Sequence, residues 1–138
     1  MSTPIRSVER WSASASSITP PIPPAGDVVI LSSGEVETDG GNIQLEGAVE
    51  VVPAPPGPVE VRVYPLIDGA PVATEEGSDH VRAFLRTTWI DGITLVVIGT
   101  KKAVPAGKHI FGVQVYNAGG SDIALRVRTF SVVEHLVP

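Results

Sequence analysis

The sequence predicts an all-β domain, on three observations. Val, Ile and Thr are plentiful, with 14 Gly and 13 Pro among 138 residues against one Met and few aromatics, a balance that suits short strands joined by tight turns rather than packed helices. Apolar residues recur with a period of two, not 3.6. Turn signals return at intervals of roughly 8 to 12 residues, the spacing of a sandwich or barrel, and counting gives about eight strands.

Residues 1–25 read as an extended arm and residues 26–138 as the domain proper. The stretch SASASSITPPIPPAG at 12–26 combines small hydroxylic residues with four prolines. It offers little apolar surface to offset about 1–2 kcal/mol of backbone entropy per ordered residue. Its prolines favour extended or polyproline geometry and lack backbone donors. Trp11, Ile18 and Ile22 are its large apolar anchors, spaced for pockets on a neighbouring subunit rather than for collapse on one another.

From Gly26 onward the chain alternates. GDVVILSS reads as a strand, EVET as a weak one and Asp39-Gly40-Gly41 as a turn. NIQLEGAVEVV places Ile43, Leu45, Val49 and Val51 on one face and Asn42, Gln44, Glu46 and Glu50 on the other. After the PAPPGP breaker, VEVRVYPLI puts Val59, Val61 and Val63 inward against Glu60, Arg62 and Tyr64. Asp68-Gly69 is a hairpin turn, EEGSD an exposed acidic loop, HVRAFLRTTWI a strand ended by Asp91-Gly92, and ITLVVIG a strand apolar on both faces and so expected to be covered on each side. Two long strands follow around NAGG at 117–120. On the first, His109, Phe111, Val113 and Val115 share a face; on the second, Ile123, Leu125 and Val127 share one face, and Arg126, Arg128 and Phe130 the other.

A formal charge of −5 gives no electrostatic reason to approach nucleic acid or an anionic membrane. The absence of cysteine excludes disulfides and thiolate metal sites. The N-terminus lacks an apolar h-region, and no apolar run approaches the roughly 20 residues that span a bilayer. No cofactor or metal is expected, because His80, His109 and His135 fall on separate elements without metal-ligand spacing. Ser78-Asp79-His80 is chance adjacency, since triads are assembled in space. Gly99-Thr100-Lys101-Lys102 lacks the order of a phosphate loop, and Glu75, Glu76 and Asp79 lack calcium-loop spacing.

The arginines are the remaining candidates. Arg82 and Arg86 lie on one face of their strand, and Arg126 and Arg128 project together from the last one. Beside Trp89 or Phe130 these clusters suit carboxylates on another subunit. The bland reading pairs them with Glu46, Glu50 or Glu60 on a solvated sheet.

The closing block VPAGKHIFGVQVYNAGGSDIALRVRTFSVVE, residues 104–134, resembles the last strands of jelly-roll modules in virion and fibre proteins: a P-A-G-x-H turn, a long strand, a Gly-rich turn and a final strand with an R-x-F/L-x-V core. Cement or decoration proteins of tailed-phage capsids are similar in layout, as are trimeric tumour-necrosis-factor-like fibre knobs. The resemblance implies a jelly-roll-type β-sandwich of about eight strands with an N-terminal arm. It implies a non-enzymatic structural subunit on the exterior of a virion capsid, assembled in the host cytoplasm. Its partners would be copies of itself, as dimer or trimer, and a major capsid protein. The alternative is a trimeric knob recognising a glycan or surface receptor through loops such as 74–80 and 117–122.

Overall fold

The computed structural model describes residues 6–53, 59–74, 77–85 and 93–136. They form eleven strands: β1 (Arg6–Ala15), β2 (Asp27–Ser32), β3 (Val36–Thr38), β4 (Asn42–Pro53), β5 (Val59–Ile67), β6 (Ala70–Pro71), β7 (Val81–Leu85), β8 (Ile93–Lys101), β9 (Gly107–His109), β10 (Phe111–Asn117) and β11 (Ile123–Leu136). The first sheet has the order β1-β11-β4-β8; the second runs β2-β10-β5, with β6 and β7 both paired to β5, and β3 and β9 form a small ribbon. Every pairing is antiparallel. With the short elements set aside, the chain crosses between the sheets at each connection except β5 to β7, which is the jelly-roll winding.

That winding corrects the reading of the N-terminus. Residues 6–15, expected in an arm apart from the sandwich, are the edge strand of its first sheet, in register with β11 from Arg6↔Leu136 to Ala15↔Arg128. The proline segment then continues along β11: Thr19 donates to the Leu125 carbonyl at 2.8 Å, and Ile22 and Ile123 exchange both backbone bonds. Pro20, Pro21, Pro23 and Pro24 lack donors, so the segment pairs only where Thr19 and Ile22 supply one, then turns the chain onto the second sheet. The entropy of ordering it is offset by main-chain bonds and by anchors on the chain's own body. Trp11 packs on the core edge-on to Phe130, with centroids 5.5 Å apart, and Ile22 is buried within the core.

Two bulges set the registers of the first sheet. In β1 the pairing shifts between Glu9 and Trp11, leaving Arg10 as the extra residue. In β11 it shifts between Leu125 and Arg128, so Arg126 and Val127 stand opposite Glu50 alone. An extra residue reverses the inside-outside parity beyond it. Ile123 and Leu125 are buried before the bulge, Phe130, Val132 and Glu134 after it, and Val127, expected inside, is exposed.

One further expectation changes. β8 is not covered on both sides: Leu95 and Val97 are buried but Val96 is 51% exposed. The NAGG segment, whose flanking strands the sequence left unpaired, joins two sheets, since β10 and β11 lie in different ones. It is a corner held by the buried Asn117, whose Nδ2 donates to the carbonyls of Ile22 and Ser121 and whose Oδ1 accepts from the Gly119 amide. Where alternation was read from β4 and β5 it stands: Ile43, Leu45, Val49, Val51, Val61 and Val63 all face the core.

Candidate ligand-binding face

Of the seven residues expected to form an intersubunit site, the six that are described do not come together. Trp11 and Ile22 face inward, while Ile18 is 63% exposed. Arg82 lies on the second sheet, 3.5 Å from Glu60. Arg86 and Trp89 lie outside the described residues. Arg126 pairs with Glu50 through its Nε. Arg128, which the bulge turns away from Arg126, is buried and donates through NH1 to the carbonyls of Ser17 and Arg126, both at 2.6 Å. It therefore tethers the N-terminal segment to its own chain.

His80 and His109 each have a carboxylate partner. His80 Nδ1 is 2.7 Å from Asp79 Oδ1, but Ser78 donates its hydroxyl to the His80 carbonyl, so no nucleophile faces the ring. His109 sits between Asp68 Oδ2 and the Pro105 carbonyl, each 2.7 Å from a ring nitrogen. Among the described residues no group of three or more His, Asp or Glu is placed to hold a metal ion.

One face does gather chemistry. On β5 the inward Val61 and Val63 leave Glu60, Arg62 and Tyr64 pointing out of the second sheet, and on β10 the inward Val113 and Val115 do the same for Gln114 and Tyr116. The register brings these rows together: Tyr116 opposite Arg62 and Gln114 opposite Tyr64, Arg62 opposite Arg82, and Tyr116 opposite Asp27. The Arg62 guanidinium stands over the Tyr116 ring at 5.9 Å, the His80 ring lies 5.1 Å from that of Tyr64, and Gln114 Nε2 donates to Asp27 Oδ2 at 2.9 Å. Arg62 is held protonated more firmly than an ordinary arginine, first by the Tyr64 hydroxyl against the opposing effect of burial, then by Tyr64, Glu60 and Tyr116 through charge.

Both tyrosines of the chain lie on this face, whereas Trp11, Phe111 and Phe130 pack inward. Described residues of the two loops singled out from sequence reach it: His80 lies beside Tyr64, and Ala118 donates to the Glu60 carbonyl. The first sheet presents a different outer surface. Ser12, Ser14, Thr129, Ser131, Ala48 and Val96 line a shallow hollow of about 640 Å³, where Phe130 is the aromatic residue among the lining ones.

Alternation alone turned Arg62 and Tyr64 outward. Tyr116 was legible from the same parity on β10, but that β10 lies beside β5 and brings the two tyrosines together is long-range pairing with no local signal.

The fold and this face define a jelly-roll β-sandwich module. No family model and no curated protein sequence matches the chain. Among solved structures it is similar to the C-terminal domain of EclA, described as a sugar-binding protein, at 15% identity over 94% of this chain and 80% of that one, with a TM-score of 0.40. It is similar to the C-terminal CBM6 of LamC, a marine laminarinase from Zobellia galactanivorans, at 15% identity over 88% and 99% of the two chains, TM-score 0.38. It is also similar to Eiger TNF from S. frugiperda, at 11% identity over 98% and 94%, TM-score 0.39. Likenesses this distant say nothing of function, and the winding described above rests on the chain's own strand register.

Proposed function

We propose that the chain is a non-enzymatic recognition module that binds saccharide on the outer face of its second sheet. The observation that carries this reading is the placement of both tyrosines on one rigid, solvent-facing strand surface, interleaved with Arg62, Gln114 and Asp27. A pyranose presents C–H faces that stack on phenol rings and hydroxyls that bond planar amide, carboxylate and guanidinium groups. Tyr64 and Tyr116 occupy diagonal positions, about 7–8 Å apart at the backbone, so a saccharide of two or more units can touch both rings. Side chains projecting from paired strands hold such a constellation more rigidly than a loop would.

The capsid-cement expectation loses its physical basis, because it required a leader free to reach a neighbour. Residues 6–26 direct their backbone bonds to β11 and β10 of the same chain.

The test is binding to a panel of immobilised neutral and acidic polysaccharides, with Tyr64→Ala and Tyr116→Ala as variants. The expected result is saccharide binding that each variant weakens about tenfold while its melting temperature stays near wild type. Absence of binding across the panel, or equal binding by both variants, overturns the proposal. Sedimentation mass on the same samples decides between a monomer and the trimer of a fibre knob.

A further inference from the structure

Resting on the reading that this face binds saccharide, we infer that Arg62 and Arg82 form a seat for an oxyanion carried by the ligand, so that the module selects acidic saccharides bearing a uronate carboxylate or a sulfate ester.

The two arginines are directly opposed across β5 and β7 on the outer face. Like charges in that relation repel unless an anion bridges them. Glu60 is the acid nearest to both, at 3.9 Å from Arg62 NH2 and 3.5 Å from Arg82 NH1. Those separations exceed N–H···O hydrogen-bond length, and one carboxylate faces two guanidinium groups. The neighbouring Asp27 keeps its charge but lies on β2, bonded to Gln114, with β10 and β5 between it and Arg82. At the arginine pair itself two guanidinium groups face one carboxylate, a local excess of one positive charge, although the chain as a whole carries −5.

Three other described arginines, Arg10, Arg126 and Arg128, behave differently. Arg10 donates to Glu134 and Asp39, Arg126 to Glu50, and Arg128 to backbone carbonyls. Among the described residues Arg62 and Arg82 donate to no carboxylate or carbonyl of the chain. Arg62, whose side chain the Tyr64 hydroxyl also engages, has its Nε shut from solvent with no partner among the described residues, while the Arg82 side chain is 62% exposed and open to a bound group. A carboxylate or sulfate presents two oxygens to such planar forks, the geometry in which guanidinium bonds are shortest and strongest. Tyr116 beneath Arg62 and Tyr64 in the next row would then carry the sugar ring that bears the anion.

The experiment uses the full chain and matched ligand pairs differing only in charge: trigalacturonate against its methyl ester, and a sulfated galactan oligosaccharide against its desulfated form, titrated calorimetrically at low and high salt. The acidic member of at least one pair is expected to bind about tenfold tighter at low salt, an advantage that 0.5 M NaCl largely screens. Which pair shows it distinguishes carboxylate from sulfate. Arg82→Gln should abolish the advantage while leaving the uncharged member's affinity unchanged; Arg62→Gln, which also removes a guanidinium from the saccharide face, should abolish the advantage while weakening both members, and Arg62→Lys should restore only part of it. Equal binding within both pairs overturns the inference and leaves the saccharide-binding reading standing, as does a charge preference that survives both glutamine variants. Failure of every oligosaccharide to bind overturns that reading, and this inference with it.

Discussion

Replacing Arg10 with alanine should unfasten the N-terminal strand. The Glu134 side chain is fully buried, yet it accepts from the Asp39 amide at 3.0 Å, the Gly41 amide at 2.8 Å and Arg10 Nε at 2.9 Å, with Arg10 NH2 2.6 Å away. Burial alone pushes this carboxyl up, but the two amides and the guanidinium outweigh it and hold it below the usual carboxylate range. In Arg10→Ala the amides remain and the counter-charge is gone. Breaking a buried pair by removing one partner costs about 3–5 kcal/mol; since the Arg10 side chain is 19% exposed, the lower end applies, about 3 kcal/mol, or about 10 °C in melting temperature for a domain of this size. A cycle with Glu134→Gln should return a coupling of about 2 kcal/mol in urea unfolding at pH 7. Because the folded value is depressed, this stabilisation is present above the ordinary glutamate range near pH 4.3 and lost as pH falls through the folded value. The acid limb of the stability curve should therefore be shallower in Arg10→Ala. A loss under about 0.5 kcal/mol, or additivity of the two substitutions, would show that the pair does not fasten the strand.

Deleting residues 1–15 removes Trp11 and Arg10 together and uncovers Phe130, a loss comparable with the 5–15 kcal/mol stability of an ordinary domain; circular dichroism should show no cooperative transition, and a melt near the wild-type temperature would contradict β1 as part of the body. Gly41→Ala should cost about 1–3 kcal/mol, because a Cβ there would stand 2.5 Å from the His135 carbonyl oxygen, whereas Gly34→Ala meets nothing within 4 Å and serves as the neutral control in the same denaturation series. The His109 imidazole, raised by Asp68 and then by the Pro105 carbonyl, stabilises fully below its unfolded value near 6.5, and that contribution fades as pH rises through the folded value. Thermal melts from pH 6 to 9 should thus fall in wild type and stay flatter in His109→Gln; parallel slopes would remove the histidine from the account. Asp68 is lowered by the same contact and by the Ile110 amide, so its share is instead lost on acidification below about pH 4.

How much of the site was legible differs residue by residue. Arg62 and Tyr64 point outward because β5 alternates, and alternation is local. Arg82 was named from its strand, but its partner opposite, Arg62, belongs to a strand reached only by pairing. Arg126 and Arg128 were grouped because parity was carried through the β11 bulge, and an extra residue reverses parity without leaving a mark in composition. Glu134 and Arg10 carry no signal in the sequence, since their separation of 124 positions is closed only by the fold.

The sequence by itself determined that the protein is all-β, where the turns at Asp39-Gly40-Gly41 and Asp68-Gly69 fall, and which faces of β4, β5 and β10 enter the core, because strand periodicity and turn chemistry act between residues a few positions apart. Tertiary structure alone decided that the proline-rich leader is the first strand of the sandwich and the corner after it. A segment poor in apolar side chains orders when a neighbouring strand supplies donors, acceptors and a buried counter-charge, and those lie on β11, more than a hundred residues away.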